Sequence, residues 1–335
     1  MKYLVTGAAG FIGYHTALKL CELGYQVLGI DNLSSYYEIE LKEARLKNLQ
    51  DQENFSFEKI DLKDVSGIED LFRENIFDRV IHLAAQPGVR YSLDNPMVYA
   101  ESNLIGHLNI LEACRNHPIE HLIYASSSSV YGMRENEILS TLNNVDHPIS
   151  LYAATKKSNE LMSHVYSHLF DIPSTGLRFF TVYGPWGRPD MALFKFTKLI
   201  LKQEPIYLNN GGDMARDFTY IDDIVEGIIR IQDKIPEINL NVEGDPSQSS
   251  LAPYRIFNIG KGQPQNLRDF VTILEDNLGV KANIQYRDMQ PGDVITTHAD
   301  TNQLFDYIGY NPKITIEEGV KRFVDWYREY YSETM

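Results

Sequence analysis

Tyr152 and Lys156 stand four residues apart in YAATK, the spacing that brings two side chains to one face of a helix. A tyrosine that exchanges a proton near neutral pH must fall about three units from its ordinary value near 10, or about 4 kcal/mol. One positive charge ~4–5 Å away is worth roughly 3–4 kcal/mol at an effective dielectric of about 20, so the Lys156 ammonium is of the right size for the task. A Tyr–Lys pair at this spacing is also common on helices that do no chemistry. Upstream lies the run Ser126-Ser127-Ser128-Ser129 before Val130-Tyr131-Gly132. A hydroxyl at a strand end can bridge a substrate OH and the phenol, although serine-rich turns are ordinary too.

A third motif gives these hydroxyls a partner. Gly7-Ala8-Ala9-Gly10-Phe11-Ile12-Gly13 follows a short apolar run and opens a helical pattern. Small residues there let backbone approach a pyrophosphate, and a helix N-terminus supplies free N–H groups. Asp31 lies 24 positions after Gly7, at the end of the next apolar run. A carboxylate at that place bonds a ribose diol and repels a 2′-phosphate, so the expected cofactor is NAD rather than NADP.

These groups need a scaffold. Apolar runs at 2–6, 25–30, 55–60, 79–83, 121–125 and 174–179 read as buried strands. Helical spacing falls at 11–23, 64–72, 96–115 and 151–170. The alternation predicts an α/β fold, a doubly wound parallel sheet of Rossmann type. After Thr181 Pro and Gly become frequent and helices are expected at 190–202, 221–232, 267–278 and 316–330. The expected division is a dinucleotide-binding domain over 1–180 and a smaller mixed α/β substrate domain over 181–335, with segments near 217–230 and 255–260 packing back on the first. Residues 243–253 read as a mobile surface loop.

Composition excludes several classes. The 335-residue chain carries 31 Lys+Arg against 46 Asp+Glu, a net charge of −15, which disfavours nucleic acid as a partner. No apolar run reaches the length of a membrane span. The two cysteines, Cys21 and Cys114, form no disulfide framework and read as packed thiols of a cytoplasmic protein. No H-E-x-x-H or cysteine cluster suggests a metal.

TGAAGFIG, SSSSVYG and YAATK together resemble the extended short-chain dehydrogenases/reductases, and within them the nucleotide-sugar epimerases. HLAAQPGVRYSLDNP, LRFFTVYGPWGRPDMALFKFT, RDFTYIDDIV and MQPGDVITTHAD resemble most the UDP-glucuronate 4-epimerases. The resemblance implies a bound NAD that takes hydride from sugar C4 and returns it to the opposite face, with Tyr152 moving the proton, Lys156 beside it, and Ser127 or its neighbour Ser128 as the hydroxyl. It places the cofactor against Gly7, Gly10, Phe11, Ile12, Gly13, Asp31, Asn32, Asp61, Leu62, Ala84, Ala85, Gln86, Asn103, Tyr152, Lys156 and Phe179. It assigns Arg216 and Arg287 to the diphosphate, and Leu193, Phe194 and Lys195 to the uridine. Thr181 stands where galactose-type epimerases carry Asn. A uronate needs donors near C6, for which Arg90, Ser127, Thr181 and above all Arg188 are the candidates. The same resemblance implies a UDP-sugar substrate and a homodimer packed through 96–115 and 151–170. 4,6-Dehydratases and uronate decarboxylases commonly carry a carboxylate before Val-Tyr-Gly, where this chain has Ser128 and Ser129. The rival readings are a 4-epimerase of neutral UDP-sugars and, outside enzymes, an NAD-binding regulator.

Overall fold

The structure is a computed structural model that describes residues 1–134, 137–242, 244–290 and 292–332. Seven parallel strands form its centre: β1 (Lys2–Thr6), β2 (Gln26–Asp31), β3 (Phe55–Lys59), β4 (Arg79–His82), β5 (His121–Ser127), β6 (Ser174–Phe179) and, from far along the chain, Tyr254–Ile259. Between the sixth and the last come β7 (Thr181–Tyr183), β8 (Ile206–Asn209) and β9 (Ala215–Tyr220), which makes Tyr254–Ile259 β10. β11 (Pro264–Asn266) and β12 (Ile284–Arg287) complete the set. The large sheet runs β3-β2-β1-β4-β5-β6-β10. Successive side chains of β1 serve opposite faces: Tyr3 and Val5 join one buried cluster and Leu4 the other. Helices cover both faces, which is why the strands read as near-continuous apolar runs.

The strand order reverses between β1 and β4, and a crevice opens at their carboxyl ends. β7 is the edge of a three-stranded sheet of order β11-β9-β7, while β8 pairs with β12. The helix Ile221–Ile231 packs back against Phe11–Glu22, and Tyr3 donates to Gln232 just beyond it at 2.6 Å.

Two local expectations are corrected and one helix is added. The helix expected at 96–115 is broken into Pro96–Tyr99, a wide π-helical turn Ala100–Ile105, and Gly106–Asn116. Such a turn rotates one residue out of phase. Here it turns Asn103 inward, where its side chain accepts from the Gln86 N–H at 2.8 Å and donates to the Gln86 carbonyl at 3.1 Å. The helix Ile39–Gln50 escaped notice because its sequence IELKEARLKNLQ is too polar to show an apolar stripe. The loop expected at 243–253 begins at Glu243, outside the described residues. From Asp245 on it is fixed, with Ser247 and Ala252 buried and the Pro253 carbonyl accepting from Ser167 at 3.0 Å. Pro291 of MQPGD also lies outside the described residues.

Candidate active site

One cleft of about 460 Å³ runs from the glycine loop to the ends of β5 and β6. At one end Gly7 turns the chain at φ 72°, and a Cβ there would stand 2.9 Å from the Ala84 backbone. A Cβ on Gly13 would lie 2.0 Å from the Gly7 carbonyl. No larger residue fits either place, so the loop and the helix Phe11–Glu22 sit hard against β4. No side chain caps that helix, which leaves its first N–H groups for a ligand. Asp31 ends β2 and accepts from the Leu33 N–H at 2.8 Å. Burial raises its carboxyl above the ordinary range, opposed by Lys42 beside it and by the Ala9 and Leu33 N–H groups. Asn32 donates to Asp61 at 3.0 Å, and Leu62, Ala84, Ala85 and Gln86 continue the wall. Asn103 does not line the cleft; it acts through Gln86. The shape, the free N–H groups and the ribose-facing acid fit a dinucleotide.

At the other end Tyr152, Lys156, Ser127, Ser128, Phe179 and Thr181 face the same space. Ser150 caps the helix Leu151–Phe170 by accepting from the Ala153 N–H at 3.1 Å, which fixes the turn that presents Tyr152. Glu160, on the same face eight residues on, is buried and holds Arg178 of β6 at 2.7 Å and Ser126 of β5 at 2.7 Å. The face of the helix that carries Lys156 and Glu160 is thereby locked to both strands. Ser126 is used in that lock, whereas Ser127 donates to Ser129 at 3.1 Å and stands near enough to the Tyr152 phenol to favour its ionised form. Ser127 is the serine of the run that meets the tyrosine.

The electrostatics depart from the expected picture. Tyr152's phenol is held above its ordinary value by burial, with the Ser127 hydrogen bond and the Arg188 charge acting the other way. Lys156 is not among the groups that lower it. Its ammonium donates to the Ala125 carbonyl at 2.8 Å, and burial pushes it down to about 8. Below it, burial holds His82 down to about 3, and Thr6 joins the His82 ring to the Ala84 N–H. The neutral imidazole adds no second charge under Lys156.

The arginines are redistributed. Arg188 places Nε at 3.0 Å from Asp190, to which Nη2 also donates, and Tyr36 donates to the same carboxylate at 3.2 Å. Arg188 lines the cleft and its charge acts on the Tyr152 phenol, but it does so paired with Asp190. Arg90, which does not line the cleft, donates from Nη2 to both Asp293 oxygens at 2.6 and 2.8 Å, and Asn209 joins them at 2.9 Å. Arg216 lies beside that carboxylate and binds the Val294 carbonyl at 2.7 Å. Arg287 is exposed, stacked on Tyr207, and outside the cleft. Leu193 and Phe194 are buried in the packing of Ala192–Leu201 against the last helix, and Lys195 is exposed; none lines the cleft, where Met191 does. Lys42 had no motif to announce it, and Asp293 belongs to MQPGD without being singled out there. Cys21 and Cys114 are buried free thiols, and burial pushes Cys21 up to about 11. Among the described residues there is no group of metal-ligating side chains and no helix long and apolar enough to cross a membrane.

The family model for GDP-mannose 4,6 dehydratase matches residues 4–323. An uncharacterized 37.6 kDa protein of Escherichia coli O111:H- is 57% identical over 99% of both chains. The UDP-glucuronate 4-epimerase 1 of Arabidopsis thaliana is 46% identical over 99% of this chain and 77% of its own. The crystal structure of the UDP-glucuronic acid 4-epimerase from Bacillus cereus, with UDP-glucuronic acid and NAD, superposes with a TM-score of 0.87 at 33% identity, covering 99% of this chain and 100% of the other.

Proposed function

This chain belongs to the GDP-mannose 4,6 dehydratase family of extended short-chain dehydrogenases/reductases and is an NAD-dependent epimerase; from that premise we propose that it interconverts UDP-glucuronate and UDP-galacturonate. The observation that carries the reading is the single cleft joining the glycine loop to Tyr152 and Ser127. Relatives that act on the uronate, alike along nearly the whole chain, support the choice of sugar.

NAD supplies a reversible hydride acceptor for sugar C4. Tyr152 takes the 4-OH proton and later returns it, with the Ser127 hydroxyl bridging phenol and substrate oxygen. Lys156, anchored on Ala125, holds a positive charge beneath the reacting centre. Oxidation stops there: no carboxylate among Ser127–Ser129 is placed to drive a dehydration at C5. Arg216, which lines the cleft, is our assignment for the diphosphate, while Arg90, paired with Asp293, and Arg287 lie outside the cleft lining. The sugar carboxylate is assigned to the hydroxyls of Ser127, Ser128 and Thr181, with the Arg188–Asp190 pair shaping the wall behind them. Hydroxyl donors left unpaired by a neutral sugar discriminate strongly. UDP-glucuronate should show a kcat/KM at least about 100-fold above UDP-galactose, measured side by side. Turnover of the neutral sugar alone would refute the uronate reading.

We also propose a homodimer. Met97, Ile105 and Leu108 on one helical stretch and Leu161, Val165 and Leu169 on its neighbour are exposed at 38–67%. Two neighbouring apolar stripes of this kind mark an interaction surface. Sedimentation equilibrium should give a dimer for the native chain and a monomer for Leu161→Glu/Val165→Glu; a monomeric native chain would end this proposal.

A further inference from the structure

Arg45 lies on the polar helix Ile39–Gln50, is 0% exposed, and is among the largest fully buried side chains. All of its hydrogen-bond partners are neutral. Nη1 donates to the Ala9 carbonyl of the glycine loop at 2.8 Å and to the Tyr37 hydroxyl at 2.9 Å. Nε and Nη2 donate to the Trp186 carbonyl at 3.1 and 2.6 Å, and Nη2 also to Gly187 at 3.1 Å. Every N–H is satisfied. The charge is not: among the described residues no carboxylate lies within ion-pair distance of it. Hydrogen bonds alone do not compensate a fully buried charge, which persists in proteins when a counter-charge is supplied.

The neighbourhood shows which counter-charge is missing. At the ribose end of the glycine loop Arg45 and Lys42 both act on Asp31. The other face of the loop is where the uncapped helix N-terminus points its N–H groups. NAD brings a diphosphate dianion and a nicotinamide cation, a net charge of minus one. The carbonyl of Ala9 is bound by Arg45 while its N–H faces Asp31, so the guanidinium also fixes the peptide that separates it from the ligand.

We propose that Arg45 is the buried counter-charge of the bound dinucleotide, a positioning residue that retains NAD through the glycine loop and ties that loop to the Trp186–Arg188 turn on the substrate side. It need not touch the cofactor to do so, because a charge in a dry interior acts over several ångströms.

The test separates the charge from the hydrogen bonds. Arg45→Gln keeps amide donors for the carbonyls and removes the charge. Arg45→Lys keeps the charge and loses the fork. Release of NAD from each purified holoenzyme is followed by ultrafiltration, with the melting temperature of the holoenzyme as the check on folding. Arg45→Gln should release NAD at least tenfold faster than the native enzyme, and Arg45→Lys should restore retention to within about threefold. Native retention in Arg45→Gln, or equally fast release from both variants, would overturn the proposal. If Arg45→Gln does not fold, Arg45→Lys decides: slow release upholds the charge and tenfold faster release overturns it.

Discussion

Tyr152→Phe is expected to lower kcat by about 10³-fold while NAD stays bound in its native amount, the scale on which a positioned proton-transfer group acts. The ring keeps its place in this variant, since its edge contact with Tyr99 at 6.1 Å does not involve the hydroxyl. What disappears is the oxygen that meets Ser127. Measuring epimerisation and NAD content on one preparation separates chemistry from cofactor binding. Turnover within tenfold of native would refute the assignment. The position of the phenol's own titration makes the point sharper. Burial holds Tyr152 above its ordinary value when only protein surrounds it, so the group is a poor base until substrate and cofactor are present. A lone Tyr–Lys spacing would have suggested an acidic phenol at all times.

The second large effect concerns Lys156. Lys156→Met is expected to reduce kcat by about 10²-fold or more and at the same time to stabilise the dinucleotide-free protein at pH 7. The sign follows from linkage. The folded protein holds Lys156 near 8, below the ordinary 10.5, because burial disfavours its charged form. Between these values the unfolded chain binds more protons than the folded one, so stability rises with pH across that window. Below pH 8 the whole cost of the buried ammonium is present. The melting temperature of Lys156→Met should therefore exceed that of the native protein at pH 7, and the difference should shrink as pH climbs from 8 toward 10.5. A variant less stable than native at pH 7, or a gap independent of pH, would show that Lys156 is a structural cation instead. An active-site charge that destabilises the empty protein is a familiar trade of stability for function.

Several arginines show how chemistry and fold became entangled. Arg188 in GPWGRPDM reads as a donor for the sugar carboxylate, but the sequence cannot show that Asp190, two residues on, folds back to take its fork. Arg90 and Asp293 are 203 residues apart, and still one Arg90 nitrogen donates to both carboxylate oxygens. Arg287 seemed near MQPGD in the chain, but it leaves β12 on the side where Tyr207 of β8 lies.

The amino-acid order alone determined the parallel sheet, the glycine loop, the ribose-facing Asp31 and the Tyr152–Lys156 face. Each of these rests on short-range spacing, namely 3.6-residue periodicity, apolar runs and the tight turn that only glycine permits. The tertiary structure decided the rest. It brought β10 from residue 254 to the sheet edge beside β6. It took Ser126 up in a lock with Glu160. It set the direction in which Tyr152 and Lys156 titrate, and it buried Arg45 without a carboxylate beneath the loop. Pairing partners, desolvation and the sum of charges around a point depend on groups distant in sequence, so they exist only once the chain has closed on itself.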